Sequence, residues 1–75
     1  MSFAARMRLM RAFRNLTQEE LMRRLAMPQP VISKLETGDV LPSDALRKRI
    51  QTALGWDEAV DRLLEKLDIE APPAA

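Results

Sequence analysis

The sequence predicts a single all-α domain, and its length and composition support this fold class. The chain has 75 residues, of which 47% are hydrophobic and only 4% aromatic, and it contains two glycines. This composition favours short helices packed through Leu, Ile, Met and Ala over a strand-rich sandwich. A chain of this length buries only about 60% of its unfolded surface and lacks material for a second core. We expect one domain over residues 1–70 and a disordered tail over residues 71–75.

Cysteine and histidine are both absent from the chain. Their absence removes disulfides, thiol nucleophiles, the usual zinc ligand sets and histidine general bases. We therefore expect no enzyme, no catalytic residue, no metal site and no cofactor. No apolar run approaches the about 20 residues of a membrane span, and Arg6 interrupts any signal-type core at the N-terminus. The sequence predicts a cytoplasmic protein with no membrane partner.

The first predicted helix runs from about Phe3 to Arg14. Phe3, Met7 and Met10 form one apolar stripe at spacings of four and three residues, which is typical of an amphipathic helix. Asn15 is suited to a left-handed stop after it.

The second predicted helix has the strongest local signal in the chain, the segment LTQEEL at residues 16–21. Thr17 caps the helix while Glu20, three residues later, reaches back to the Thr17 amide. Leu16 and Leu21 add a hydrophobic staple. We expect this helix to continue through Leu25.

The third predicted helix begins at a glutamine between two prolines and ends at Gly38. A residue before proline is pushed out of helical torsions. We therefore expect Gln29 at the cap position and Pro30 at the first helical position, where a missing amide hydrogen costs nothing.

Two further helices complete the predicted bundle. Ser43 caps a fourth helix that runs to about Leu54 and is closed by Gly55. A fifth helix runs from about Asp57 to Asp68. Its predicted apolar stripe comprises Trp56, Val60, Leu63, Leu64 and Leu67.

Charge is distributed unevenly along the chain. Residues 1–38 contain seven basic and three acidic groups, which gives a net charge of +4, whereas residues 39–75 have a net charge of −3. A basic half that faces a polyanion is one explanation. Chance segregation of charge within a helical domain is the other, and charge alone does not decide between them.

Two short helices joined by a short turn are used in DNA binding. Over about residues 6–56 the sequence resembles the Cro and phage-repressor, or Xre, type of helix-turn-helix protein. The matching segments are MRLMR, LTQEEL, the glutamine and ISKLETG of the third helix, PS before the fourth helix and ALG at its end. The resemblance implies a compact, lambda-repressor-like bundle of five helices, with helices two and three as the helix-turn-helix.

The resemblance implies that the third helix reads bases in the major groove. Gln29 is the first choice for base readout, because a glutamine pairs bidentately with adenine N6 and N7. Gln18, eleven positions earlier, corresponds to a glutamine that braces it and touches the DNA backbone in that family. The implied base-contacting residues are Gln29, Pro30, Val31, Ser33 and Lys34, and the implied backbone-contacting or positioning residues are Gln18, Thr17, Thr37 and Arg14.

The resemblance also implies a structural ion pair between Arg11 and Glu36, which fastens the first helix beneath the third. The chain departs from its relatives at Ala26, where glycine is usual in the turn and alanine costs about 1 kcal/mol if its torsions are left-handed. In the loop after the third helix, residues 39–41 are Asp, Val and Leu where relatives often carry basic side chains. This departure predicts few backbone contacts and a shallow salt dependence.

The leading hypothesis is a transcriptional regulator that binds double-stranded DNA, most simply a repressor that occupies a palindromic operator as a homodimer. The fifth helix is the candidate dimer element, with Trp56, Leu67 and Ile69 at its edge. The alternative is an antitoxin, or another module of the same fold that binds a protein partner and regulates its own operon. The acidic C-terminal half would then face a basic partner.

Overall fold

The protein is a bundle of five helices, and the computed structural model describes the backbone of residues 1–70 and the side chains of residues 1–68. The helices are α1 (Phe3–Phe13), α2 (Gln18–Leu25), α3 (Gln29–Thr37), α4 (Asp44–Ala53) and α5 (Glu58–Glu70). The predicted all-α fold with a helix-turn-helix is confirmed, whereas the predicted tail, residues 71–75, lies outside the described residues. No helix within the described part is long and apolar enough to span a bilayer.

All five helices contribute to one apolar core. Helix α3 packs against both α1 and α2, and α2 also packs against α4. Each large apolar side chain that is fully buried stabilises the fold by about 1.5–3 kcal/mol. The largest fully buried side chains are Met7, Leu21, Leu25, Ile32, Leu35, Ile50 and Leu54.

The local signals around α2 form as predicted. Asn15 is left-handed with a φ of 56° and separates α1 from α2. The Thr17 hydroxyl accepts a hydrogen bond from the Glu20 amide at 3.0 Å, and the Glu20 carboxylate accepts one from the Thr17 amide at 3.4 Å. This capping box and the burial of Leu16 and Leu21 on the same side fix the first turn of α2.

Helix α3 begins one residue earlier than predicted. Pro28 is the N-cap, Gln29 is the first helical residue and Pro30 the second. Because Pro30 has no amide hydrogen, the first donors are Val31 and Ile32, and both donate to the Pro28 carbonyl, at 3.1 and 3.3 Å. The prediction of Gln29 as the cap was therefore wrong, and its side chain makes no capping hydrogen bond.

Only part of the predicted stripe on α5 reaches the core. Trp56, Val60 and Leu64 follow one another at four-residue spacing and pack inward. Leu63 lies about 100° from Leu64 around the helix, and Leu63 and Leu67 are 61% and 55% exposed. The predicted apolar stripe is therefore only partly buried, and Leu63 and Leu67 lie outside the core. The side chain of Ile69, the third predicted dimer residue, lies outside the described residues.

Trp56 is 5% exposed and lies in a cluster of aromatic and charged side chains. The other residues of this cluster come from α1, α4 and α5. The Trp56 ring stacks on Phe3 with a centroid distance of 5.0 Å, and the Arg47 guanidinium lies 4.9 Å from the centre of the Phe3 ring. The indole N–H donates to Asp61 at 3.0 Å, and Arg6 donates to the same carboxylate oxygen at 2.9 Å. Trp56, predicted at the dimer edge, thus serves the core of the single chain.

Arginines cap the C-terminal ends of α2 and α4. Arg49 of α4 donates to the Leu25 carbonyl at 2.7 Å, and Arg24 of α2 donates to the Ala53 carbonyl at 3.2 Å. Arg14, just after α1, donates to the carbonyl of Leu54 at 3.0 Å. The last carbonyls of a helix lack intrahelical donors, and cations are favoured near them. These reciprocal caps fix α4 against both α1 and α2.

Replacing Ala26 by glycine should stabilise the protein. Ala26 is left-handed, with φ 52° and ψ 45°, and removing its β-carbon should raise the free energy of unfolding by about 1 kcal/mol. Urea denaturation followed by circular dichroism measures the change. Ala45→Gly, at an exposed position inside α4, is the matched control and should destabilise the protein by about 1 kcal/mol. A loss of stability in Ala26→Gly would contradict the strain assigned to the turn.

Candidate nucleic-acid interface

A three-residue turn joins α2 to α3 and leaves one face of α3 open. Ala26 ends α2 in a left-handed conformation, and Pro28 opens α3. Ile32 and Leu35 are fully buried and anchor the inner side of α3. Its outer side is therefore presented away from the core, as the second helix of a DNA-binding helix-turn-helix must be.

The residues predicted to contact bases differ in exposure. Gln29, Pro30 and Lys34 are exposed, and Ser33 is half-buried between them. Val31 lies at the edge of this face and packs against the core. The open face of α3 thus presents an amide, an apolar ring and an ammonium group, with the Ser33 hydroxyl between them.

No carboxylate of α3 faces outward. Among the basic residues of the N-terminal half, Lys34 differs from the others because its side chain has no partner within the described residues. Glu36, the one acidic residue of α3, is 2% exposed. Of the seven basic side chains in residues 1–38, only that of Lys34 makes no hydrogen bond or ion pair within the described part of the chain. The other six and their partners are Arg6 with Asp61, Arg8 with the Glu36 carbonyl, Arg11 with Glu36, Arg14 with the Leu54 carbonyl, Arg23 with Glu19 and Arg24 with the Ala53 carbonyl. The positive charge of the N-terminal half is mostly engaged inside the fold.

The predicted pair between Arg11 and Glu36 is present and is the polar centre of the site. Arg11 donates to both carboxylate oxygens of Glu36, through Nε at 2.7 Å and Nη2 at 3.1 Å, and to the Leu16 carbonyl at 2.9 Å. Arg8, which the sequence did not single out, donates to the backbone carbonyl of Glu36. Its position three residues before Arg11 places both guanidinium groups on one side of α1. Two arginines of α1 therefore hold the last turn of α3.

Gln18 contacts Glu36, not Gln29. The Gln18 side-chain amide donates to Oε1 of Glu36 at 2.9 Å. Within the described residues Gln29 makes no side-chain hydrogen bond, so the brace between the two glutamines that the resemblance implies is not formed. Gln18 is the first residue of α2, and it meets the buried carboxylate in the last turn of α3.

The remaining predicted backbone-contacting residues all have partners within the chain. Thr17 is held in the capping box of α2, and the Thr37 hydroxyl donates to the Lys34 carbonyl at 3.1 Å. Arg14 caps the end of α4 through the Leu54 and Gly55 carbonyls. Thr17 and Thr37 remain exposed on the two helices of the motif, whereas both hydrogen bonds of the Arg14 guanidinium bind it to α4.

Removing one partner of the buried ion pair should destabilise the fold far more than removing both. Glu36→Ala strands the Arg11 charge and should lower the free energy of unfolding by about 3–5 kcal/mol, whereas Arg11→Met/Glu36→Leu, which replaces both with apolar side chains, should be nearly neutral. Urea denaturation measures both variants. Glu19→Ala, at the exposed pair with Arg23, is the control and should cost at most about 1 kcal/mol. Equal losses in the two Glu36 variants would contradict the assignment of a buried charge.

Comparison with known proteins agrees with this arrangement. A family model described as a helix-turn-helix domain matches residues 2–64, which include α1 to α4 and the first half of α5. No curated protein and no solved structure matched the chain. The helix-turn-helix motif places its second helix in the major groove, so the match indicates a DNA-binding regulator. Since the match covers most of the sequence, the chain belongs to this family of helix-turn-helix domains.

Proposed function

We propose that the protein is a sequence-specific transcriptional regulator of the Cro or Xre type that binds double-stranded DNA with α3 in the major groove. The outer face of α3 carries this proposal. Gln29, Pro30 and Lys34 are exposed there, on a helix whose single carboxylate is buried and paired. This face offers side chains that can hydrogen-bond to base edges, one cation without a partner in the described part of the chain and no outward negative charge. These properties suit the major groove, which presents hydrogen-bond acceptors and lies between rows of phosphates.

Each exposed side chain of this face has a distinct complement on DNA. The Gln29 amide matches adenine, to which it would donate at N7 and from which it would accept at N6. The Lys34 ammonium would donate to guanine O6 or N7, or to a phosphate. Pro30 offers only apolar contact, for example to a thymine methyl group, and Ser33 adds a short hydroxyl between them. Val31, at the edge of the face, would make the least contact.

Few cations are available for phosphate contacts. The loop after α3 presents Val40 and Leu41, which are 42% and 81% exposed, beside the acidic Asp39. Each neutralised phosphate contributes about 0.9 to the slope of log K against log salt concentration. If Lys34 is the main cationic contact of each subunit, a dimer should show a slope of about −2. Affinity would then come mainly from neutral contacts to bases.

Variants at Gln29 and Lys34 test this proposal. In vitro selection from a random duplex library should first yield a palindromic operator for the wild type. Gln29→Ala should lose about 1–3 kcal/mol of discrimination at one base step. Lys34→Ala should flatten the salt slope by about 1 per subunit. Binding titrations at two salt concentrations measure both effects.

Lys66→Ala, on an exposed position of α5, is the control for Lys34→Ala and should leave the salt slope unchanged. Folded Gln29→Ala and Lys34→Ala proteins that keep wild-type specificity and salt slope would contradict the assignment of α3 as the recognition helix.

We propose that the protein represses transcription by occupying its operator as a homodimer. A single domain of this size has a small DNA interface, and pairing two half-sites about one helical turn apart is the usual route to useful affinity. Leu63 and Leu67 are adjacent on α5 and mostly exposed, and they supply an apolar contact for a second copy. A regulator of this kind acts where the DNA lies, and we place it in the cytoplasm.

The dimer can be tested at these two leucines. The wild type should be dimeric by light scattering at micromolar concentration, and Leu63→Glu/Leu67→Glu should be monomeric because like charges would face each other across the interface. The double variant should also lose the preference for paired half-sites. Phe13→Gln, which changes a 73% exposed apolar side chain of α1, is the control and should remain dimeric. A monomeric wild type bound as one copy per operator would contradict the proposal.

A second candidate function is binding of a protein partner, as in antitoxins of this fold. The groove between α4 and α5 supports it, because Asp57, Glu58 and Glu65 line it and would attract a basic surface. Lys48 and Arg62 line the same groove, so its charge is mixed and the case is weaker than that for α3. Co-purification of the product of an adjacent gene would favour this function.

A further inference from the structure

We propose that Gln18 positions the recognition helix through the buried carboxylate of Glu36. In this view the hydrogen bond between them, and not a brace between Gln18 and Gln29, fixes the orientation in which α3 meets DNA. The inference rests on the proposed function, because it concerns how α3 is presented to the groove.

The helix-turn-helix is held at two places. Residues 26–28 join the last residue of α2 to the first residue of α3. Gln18 is the first residue of α2, and its amide donates at 2.9 Å to Glu36 in the last turn of α3. Within the described residues this is the one side-chain hydrogen bond between α2 and α3. The turn and this bond therefore restrain opposite ends of both helices.

The hydrogen bond from Gln18 matters because its acceptor, the Glu36 carboxylate, is buried. Glu36 is 2% exposed, and a buried carboxylate needs several donors. Oε2 accepts from Arg11 at 2.7 Å, whereas the Arg11 bond to Oε1 is longer, at 3.1 Å. Gln18 therefore supplies the shorter of the two hydrogen bonds that Oε1 receives. Hydrogen bonds to a charged group in a poorly solvated site are stronger than neutral, exposed ones.

Without this bond, the direct restraints between α2 and α3 would be the three-residue turn and apolar packing. That packing joins Leu21 and Leu25 to Ile32 and Leu35, and apolar contacts are not directional. A change of angle would displace Gln29 and Lys34 together, because both are carried rigidly by α3. Loss of Gln18 should therefore relax specificity at every base step that α3 reads, whereas loss of Gln29 should affect one step.

The experiment compares Gln18→Ala in two backgrounds, the wild type and Arg11→Met/Glu36→Leu. Because the second background removes both charges, it leaves neither one stranded. In the wild type, Gln18→Ala should weaken operator binding about tenfold and relax specificity across the half-site. In the second background, where Gln18 has no carboxylate to hold, the same substitution should cause no further loss. Gln51→Ala, at a half-buried glutamine of α4, is the matched control and should leave binding unchanged.

A second pair of variants separates this mechanism from a glutamine brace. Gln18→Ala should couple with Lys34→Ala as well as with Gln29→Ala, because a displaced α3 weakens both contacts, whereas a glutamine brace would couple Gln18 with Gln29 alone. Equal losses for Gln18→Ala in the two Glu36 backgrounds, or coupling of Gln18 with Gln29 but not with Lys34, would overturn the inference while the wild type still selects a defined operator. Failure of the wild type to select any duplex would overturn the proposed function itself, and the inference with it.

Should the Arg11→Met/Glu36→Leu background not fold, NMR of the free protein provides the deciding measurement. The wild type should show nuclear Overhauser contacts between the Gln18 side-chain amide and the Glu36 side chain. Gln18→Ala should shift the backbone amide resonances along α3, which a side chain that only touches DNA would not do. A Gln18 amide without these contacts, or α3 resonances that do not move, would overturn the inference.

Discussion

One buried carboxylate joins the three helices on which DNA recognition would depend. Glu36 of α3 is bound by Arg11 of α1 and by Gln18 of α2, and Arg8 holds its backbone carbonyl. A charge removed from water is tolerated only where fixed donors replace the lost solvation. The positions of α1, α2 and α3 that supply these donors together are therefore strongly restricted. The same requirement that satisfies one charge thus orients the outer face of α3.

A second interaction that recurs in the fold is a hydrogen bond from an arginine to the last carbonyls of a helix. Arg14, Arg24 and Arg49 donate to the terminal carbonyls of α2 and α4, where cations are favoured by the helix dipole. Together with the pairs of Arg6 and Arg11, these contacts use most of the basic charge of the N-terminal half for tertiary structure. A basic segment in a sequence is therefore not by itself a DNA-binding surface. Among the basic residues of the N-terminal half, Lys34 is distinctive because its side chain is not engaged in that way within the described residues.

Packing at the other end of the domain leaves a contrasting surface. The stack of Phe3 on Trp56 and the shared contacts of Asp61 with Arg6 and Trp56 place α5 against α1. Among the described side chains of α5, only Val60 and Leu64, with Trp56 just before the helix, pack in the core, and Leu63 and Leu67 lie outside the core. The domain thus has a polar face on α3 and an apolar edge on α5.

The sequence by itself determined the helices and their ends, because the interactions that set them close within a few residues. The capping box of Thr17 and Glu20, the left-handed Asn15 and the end of α3 at Gly38 all form as predicted, since each depends on local torsions and neighbouring amides. The start of α3 was misplaced by one residue because two prolines and one glutamine allow more than one assignment of the cap.

Only the tertiary structure decided where long polar side chains and edge leucines go. Gln18 reaches a carboxylate 18 residues away and Arg14 a carbonyl 40 residues away, so their partners depend on how the helices cross. The sequence predicted Gln18 and Arg14 as parts of the DNA surface, whereas packing gave both of them internal contacts. The spacing of Leu63 and Leu67 in the sequence is compatible with the same apolar stripe as Leu64. Which of these leucines are buried was decided by how the neighbouring helices pack against α5. Local torsions define each helix, and the burial of charge and apolar area between helices defines what each exposed face can bind.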